Sequence, residues 1–145
     1  MKIAMVDLEQ AIAQSSQGEK LQQDMTDFQR SVNGRMHGAM QELHELRNRI
    51  NHDASTLTTE QLTELKRKHQ LGSERIQRFR EEQQREGEQL RHEGMETIKA
   101  LLPAILHRLR VENGYALIVH ADTVLSAPDG LDITATVAKR LSETE

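Results

Sequence analysis

The chain has 145 residues, 36% of them hydrophobic and 29% charged, and its aromatic bulk is two Phe and one Tyr, so a monomer has little from which to build a core. A net charge of −4 excludes an overall basic footprint for nucleic acid, and the absence of Cys excludes disulfides and thiolate metal sites. No apolar run approaches the ~20 residues of a membrane span, and MKIAMVD lacks the regions of a secretion signal, so the expectation is a soluble chain from which any export signal has been removed.

KIAMVDL at the start is β-branched and apolar and fits a buried strand at about residues 2–6. Asp7, followed three residues later by Gln10, marks a short helix, DLEQAIAQ, which SSQG ends. Ser16 and Glu19 have capping-box spacing for the next helix. Its apolar positions are Leu21, Met25, Phe28, Val32, Met36, Ala39, Leu43, Leu46, Ile50, Ala54 and Leu57, ten steps over 36 residues. The steps are threes and fours with more fours than a strict heptad, which relaxes left-handed supercoiling and predicts a straight or loosely wound hairpin arm. ASTLT offers competing hydroxyls, and Thr58 with Gln61 gives another capping box; the helix is predicted to end near His52 or Asp53, with the tip at about 52–58.

From Thr58 to about Val111 the pattern resumes with Leu62, Leu65, His69, Ile76 and Phe79, then thins through REEQQREGEQLRHEGMET, where Leu90 and Met95 are nearly alone. The second arm is therefore expected to be solvated on more than one side. At 1.5 Å per residue the arms would be roughly 50 and 80 Å long and would project from any compact body. Pro103, in IKALLPAILHRL, is expected to bend or loosen the helix, at about 3 kcal/mol if uncompensated. Gly114 then caps the helix, YALIVHA is a strand at about 115–121, APDG is a turn, and Asp132 caps a last helix at about 132–142. Strands at the two ends of a helical hairpin can pair, but so small a sheet has edges and little cover, and oligomerisation is the expected remedy.

Charge is unevenly distributed. From Glu60 to Arg80 the basic residues Lys66, Arg67, Lys68, Arg75, Arg78 and Arg80 face Glu60, Glu64 and Glu74, a balance of +3; from Glu81 to Glu96 six Glu face Arg85 and Arg91, a balance of −4. Exposed charges act over about 8 Å at physiological salt, so the part nearer the tip could attract acidic segments or anionic lipid heads although the whole chain is acidic. The seven His have no i, i+4 pair and no HExxH spacing, and HAD at His120 to Asp122 lacks a third ligand. No Ser or Thr has a nucleophile elbow or a paired base, so no catalytic residue, metal or cofactor is expected. Gly72, Gly87 and Gly94 in the second arm and Gly34 and Gly38 in the first each weaken a helix by about 1 kcal/mol relative to Ala, which suggests soft arms or close packing of the facing helix.

KIAMVDL, the charged helical hairpin, and YALIVHADTVLSAPDGLDITATVAKRL match, in order and over the whole chain, the Skp/OmpH family of trimeric periplasmic chaperones. The terminal segment, with ALIV followed by a turn and DIT before a short amphipathic helix, is the most specific part of this resemblance. The chain differs from the family in being net acidic and in carrying His120 after the apolar strand, where Asp is frequent. The resemblance implies an α+β, mostly α fold in which a long antiparallel helical hairpin, residues 19–96, projects from a small β-containing trimerisation body of residues 1–18 and 97–145. It implies a homotrimer with Ile3, Met5, Leu117, Val119, Ile133 and Val137 in the body. It further implies an ATP-independent holdase of the periplasm, not an enzyme, that keeps unfolded outer-membrane β-barrel proteins from aggregating in a cavity between three arms. Client contacts are expected from Met40, Lys66, Arg67, Lys68, Arg75, Arg78, Arg80 and Met95, with a weak contact to anionic lipid and none to nucleic acid. Met suits a surface that accepts many partners. Structural coiled-coil and prefoldin-like cytosolic chaperone readings are the alternatives.

Overall fold

Strand β1 (Ile3–Val6) is hydrogen-bonded on both sides to segments from the far end of the chain. The structure is a computed structural model and describes residues 1–144. On one side β1 pairs in parallel with β2 (Leu117–His120), Ile3 opposite Leu117 and Met5 opposite Val119. On the other side Met5 donates to the Leu131 carbonyl and accepts from the Ile133 N–H, both at 2.9 Å. Parallel strands need a crossover of a dozen or more residues, and here the crossover contains the long helices. Alternation along β1 turns Ala4 and Val6 into the core and leaves Ile3 and Met5 half-buried on the other face.

Helix α1 (Leu8–Gln14) begins as the D-x-x-Q spacing predicts, with Asp7 Oδ1 accepting from the Gln10 N–H at 3.0 Å. A single residue, Ser15, separates it from α2 (Ser16–Asp53). The capping residue is Ser15 and not Ser16: its hydroxyl donates to the Ile12 carbonyl at 2.6 Å and accepts from the Gly18 N–H at 3.1 Å. Ser16 instead donates its backbone N–H to Ser142 Oγ. This compact junction requires Gly18, because a Cβ there would lie 1.8 Å from the Ile12 carbonyl oxygen.

Helix α3 (Thr59–Lys99) opens on the reciprocal capping box that the sequence predicts: Gln61 N–H donates to Thr58 Oγ1 at 3.1 Å and Thr58 N–H to Gln61 Oε1 at 3.0 Å. The second arm does not run on to Val111. It stops at Lys99 and restarts as α4 (Leu102–Asn113), which places Pro103 in the first turn. There a missing N–H forfeits no intrahelical bond, so the ~3 kcal/mol penalty of an interior proline does not arise. Gly114 ends α4 at φ +67. Strand β2 ends at His120, whose Nδ1 accepts from the Asp122 N–H at 3.3 Å and so starts a one-turn 3₁₀ segment.

Asp132 precedes α5 (Thr134–Ser142) and accepts from both the N–H and the hydroxyl of Thr134, whose Oγ1 in turn accepts from the Asp7 N–H at 3.0 Å. These bonds from Thr134 hold the Asp132 carboxyl below its ordinary range. A carboxyl with a depressed folded pKa contributes stability that is complete above its unfolded value, about 4, and is lost as pH falls through the folded value. Asp132→Asn is therefore expected to reduce the loss of stability between about pH 5 and pH 2, read as the urea midpoint of each protein across that window. Identical pH profiles for the two proteins would contradict it.

The chain divides into two units, Met1–Met25 with the segment from Leu90 on, and Thr26–Gln89. In the first, α1 and α4 pack on α5 around Leu109, Leu141 and Val137, which are almost wholly inaccessible, with Ala4, Val6, Ile12, Ile98 and Leu102 beside them. In the second, antiparallel stretches of α2 and α3 share one seam. No residue of α2 is fully buried, whereas α3 buries Leu65 and Gln83.

Candidate functional site

Within Thr26–Gln89 the seam runs through Phe28, Val32, Met36, Leu43 and Leu46 of α2, all half-buried. On α3 it continues where the apolar pattern thins, because its places are taken by small or polar residues. A Cβ on Gly72 would stand 3.1 Å from Leu43 Cδ1, and one on Gly87 would stand 3.1 Å from the Phe28 ring. Gln83 is 8% exposed and donates to Glu86. In the other unit Gly94 receives Leu21, which a Cβ would meet at 2.4 Å. Three of the six helical glycines, all three on α3, are thus holes for large α2 side chains. Gly34 and Gly38 have nothing within 4 Å of an added Cβ, so the close approach expected of a GxxxG pair is not made there.

Two grooves flank this seam. The larger, with a volume of about 910 Å³, is lined by Leu43, Leu71, Ile76 and Phe79 among apolar residues and by Arg35, Arg67, Lys68, Arg75 and Arg78 against Glu42 and Glu82. Arg35 lies over the Phe79 ring, 4.6 Å from its centre. The smaller, about 490 Å³, includes Met40, His44, Arg47, Glu74 and Arg80. Arg67 grips Glu64 with two bonds of 2.6 and 2.9 Å and holds its carboxyl below the ordinary range. Among the described residues no cluster of three His, Asp or Glu is placed to hold a metal, and no helix is long and apolar enough to cross a membrane.

The sequence candidates are distributed between these features. Lys68, Arg75 and Arg78 line the larger groove as exposed cations, and Arg67 does so while paired. Lys66 is exposed and lines neither groove. Met40, 48% exposed, and Arg80 share the smaller groove, with Arg80 Nη2 3.8 Å from the Met40 sulfur. Met95 packs half-buried against the core of the other unit, so its side chain is committed to the body. Sequence reasoning passed over Leu71 and Arg35. Leu71 is an apolar residue one place off the seam position taken by Gly72, a signal that only recognising glycine as a seam residue would have exposed.

In the sheet, Ile3, Met5, Leu117 and Val119 share the face opposite the core; Leu117 is 39% exposed and the other three are half-buried. The outer edge of β2 pairs with no strand among the described residues. Leu125, just beyond, is fully exposed, and Val111 is 60% exposed. Ile133 and Val137 belong to the chain's own core, at 8% and 0% exposure, and present no surface to a second chain.

Residues 2–141 match the family described as outer membrane protein (OmpH-like). No curated protein sequence matches the chain. Among solved structures, a protein of Caulobacter crescentus CB15 described as an OmpH-like outer membrane chaperone superposes with a TM-score of 0.89 at 16% identity, over 97% of this chain and 83% of that one. At that identity the likeness is one of fold, an α+β and mostly α architecture with a two-stranded sheet and two long helices. With nearly its whole length matched, the chain belongs to the OmpH-like family of outer membrane proteins.

Proposed function

We propose that the chain is an ATP-independent holdase chaperone that works in the periplasm as a homotrimer, its arms enclosing unfolded outer-membrane β-barrel proteins. The observation that carries the reading is the surface of Thr26–Gln89, an apolar seam left half-buried and flanked by a groove with an apolar floor and a cationic rim. Such a surface suits many weak contacts with extended chains better than one tight contact with a small molecule. Unfolded β-barrel strands carry alternating apolar side chains and unpaired backbone groups, and they aggregate by pairing with one another. Family membership and the chaperone description of the similar Caulobacter protein support a binding role over catalysis.

Support for assembly comes from the body. A face formed by Ile3, Met5, Leu117 and Val119, beside an open strand edge, is what a second and a third copy would cover. A purely structural coiled coil would call for apolar residues along the whole seam, and Gln83, Gly72 and Gly87 depart from that.

Two measurements test the proposal together. Chromatography with light scattering is expected to give the mass of three chains, and the purified protein is expected to suppress aggregation of a β-barrel diluted from urea without nucleotide. A monomer that leaves aggregation unchanged would sink it. Reversing Lys66, Arg67 and Lys68 to Glu is further expected to weaken holding about tenfold at low salt and much less at high salt, since exposed charges are screened within about 8 Å at physiological ionic strength. Unchanged holding at low salt would leave these cations without a role.

A further inference from the structure

We propose that the larger groove of Thr26–Gln89 seats a single extended client segment in which acidic and apolar side chains alternate. This rests on the holding role above and specifies where on the arm, and by what chemistry, a client is gripped.

The charge of the groove is only partly compensated. Arg67 is neutralised by Glu64 at 2.6 Å, and the same carboxylate feels the charge of Lys68, but among the described residues Lys68, Arg75 and Arg78 have no carboxylate within 4 Å, and Arg35 is engaged by the face of Phe79. Lys68, Arg75, Arg78 and Arg35 therefore share only two lining carboxylates, Glu42 and Glu82. A ligand that covers this rim must supply anions, or it strips water from cations without replacing it. The floor demands the opposite chemistry. Leu71 is 36% exposed and Phe79 half-buried, and Gly72 keeps the floor low, since a side chain there would meet Leu43.

The length of the groove fits an extended chain. The lining runs along α3 from Arg67 to Glu82, about 22 Å at 1.5 Å per residue. At about 3.3 Å per residue, seven residues of extended chain fill the groove, with alternate side chains turned down to its floor. The opposite groove is a poorer host: it has about half the volume, its lining holds two arginines, Arg47 and Arg80, with one carboxylate, Glu74, and Arg80 already contacts the Met40 sulfur.

The chain has no cysteine, so one introduced cysteine can carry a benzophenone at a chosen place. Leu71→Cys puts it in the proposed groove, His44→Cys in the opposite one, and Ser31→Cys outside both. The probe is a fluorescent eight-residue peptide of alternating Leu and Asp, compared with a Leu/Lys peptide. Photolabelling at 71 is expected to exceed that at 44 and 31 by about fivefold and to fall about tenfold with Lys68, Arg75 and Arg78 all changed to Glu, the reversed protein taking the Leu/Lys peptide instead. Equal labelling at 71 and 44 would overturn the proposal. Anionic phosphatidylglycerol vesicles that label at 71 while the Leu/Asp peptide does not would overturn it too, in favour of a lipid site. Aggregation of an unfolded β-barrel, followed with the same preparations, separates the two failures: suppression without labelling at 71 removes the groove alone, and loss of both removes the holding role as well.

Discussion

Gly18→Ala is expected to be the most damaging small substitution in the chain, with a loss of about 4 kcal/mol or more and a body that does not fold at ordinary temperature. Its Cβ would lie 1.8 Å from the Ile12 carbonyl oxygen and 2.7 Å from the carbonyl carbon, and backbone atoms cannot step aside as a side-chain tip can. The α1–α2 junction would have to open, breaking the two bonds of the Ser15 hydroxyl and pulling α1 from α5. Overpacked cores ordinarily lose about 1–3 kcal/mol, and larger losses come from such backbone conflicts. Other glycines supply the scale. Gly94→Ala meets the flexible end of Leu21 at 2.4 Å, and about 1–2 kcal/mol is expected there because that side chain can move. Gly34→Ala has open space around it and is expected to raise stability by up to about 1 kcal/mol, the helix propensity difference. Urea unfolding followed by circular dichroism ranks the three; equal midpoints for Gly18→Ala and Gly34→Ala would refute the ordering.

Leu117→Asp is expected to abolish assembly while leaving each chain helical. Leu117 stands opposite Ile3 in the register and 39% exposed on the sheet face, so the single chain tolerates a carboxylate there. In the proposed trimer the same atom group would enter a shared apolar layer three times. Each copy would forfeit about 1.5–3 kcal/mol of apolar burial and place a charge where no partner awaits it. Light scattering is expected to report the mass of one chain at micromolar concentration, with far-UV circular dichroism close to that of the parent. Aggregation suppression is expected to fall with it, since a lone arm encloses nothing. A trimer of unchanged mass would show that this face is not the one that assembles. Val137→Asp is the contrasting substitution. Val137 is wholly buried inside its own chain, so that change should unfold the monomer, not merely separate the copies.

Several elements were legible because their signals are local. Asp7 with Gln10 and Thr58 with Gln61 form the caps that their spacing predicts, and Gly114 takes the left-handed conformation of a helix end. The 3.6-residue recurrence from Leu21 to Ile50 is the half-buried stripe of α2. Other features were hidden because they depend on what stands opposite. Gly72 and Gly87 read as breaks in an apolar pattern, whereas each is a seam position whose lack of a side chain admits Leu43 or Phe28. Pro103 looked like a fault inside a helix, and a turn at Ala100 and Leu101 turns it into a favourable start. The cap fell on Ser15 because Ser16 is engaged by Ser142, 126 residues away in sequence.

The amino-acid sequence by itself determined the kind of molecule: few apolar residues for its length, two long amphipathic helices with a capped tip, a strand at each end, and a basic stretch followed by an acidic one. Periodicity, caps and charge runs act over a few residues, so one chain suffices to read them. Tertiary structure alone decided which residues of a stripe are enclosed and which are offered outward. It turned Ile133 and Val137 inward and Leu117 outward, committed Met95 to the core, and grouped Lys68, Arg75 and Arg78 with Leu71 and Arg35 in one groove. The physical reason is that burial belongs to pairs of surfaces, and the partner of each surface here lies dozens of residues away along the chain.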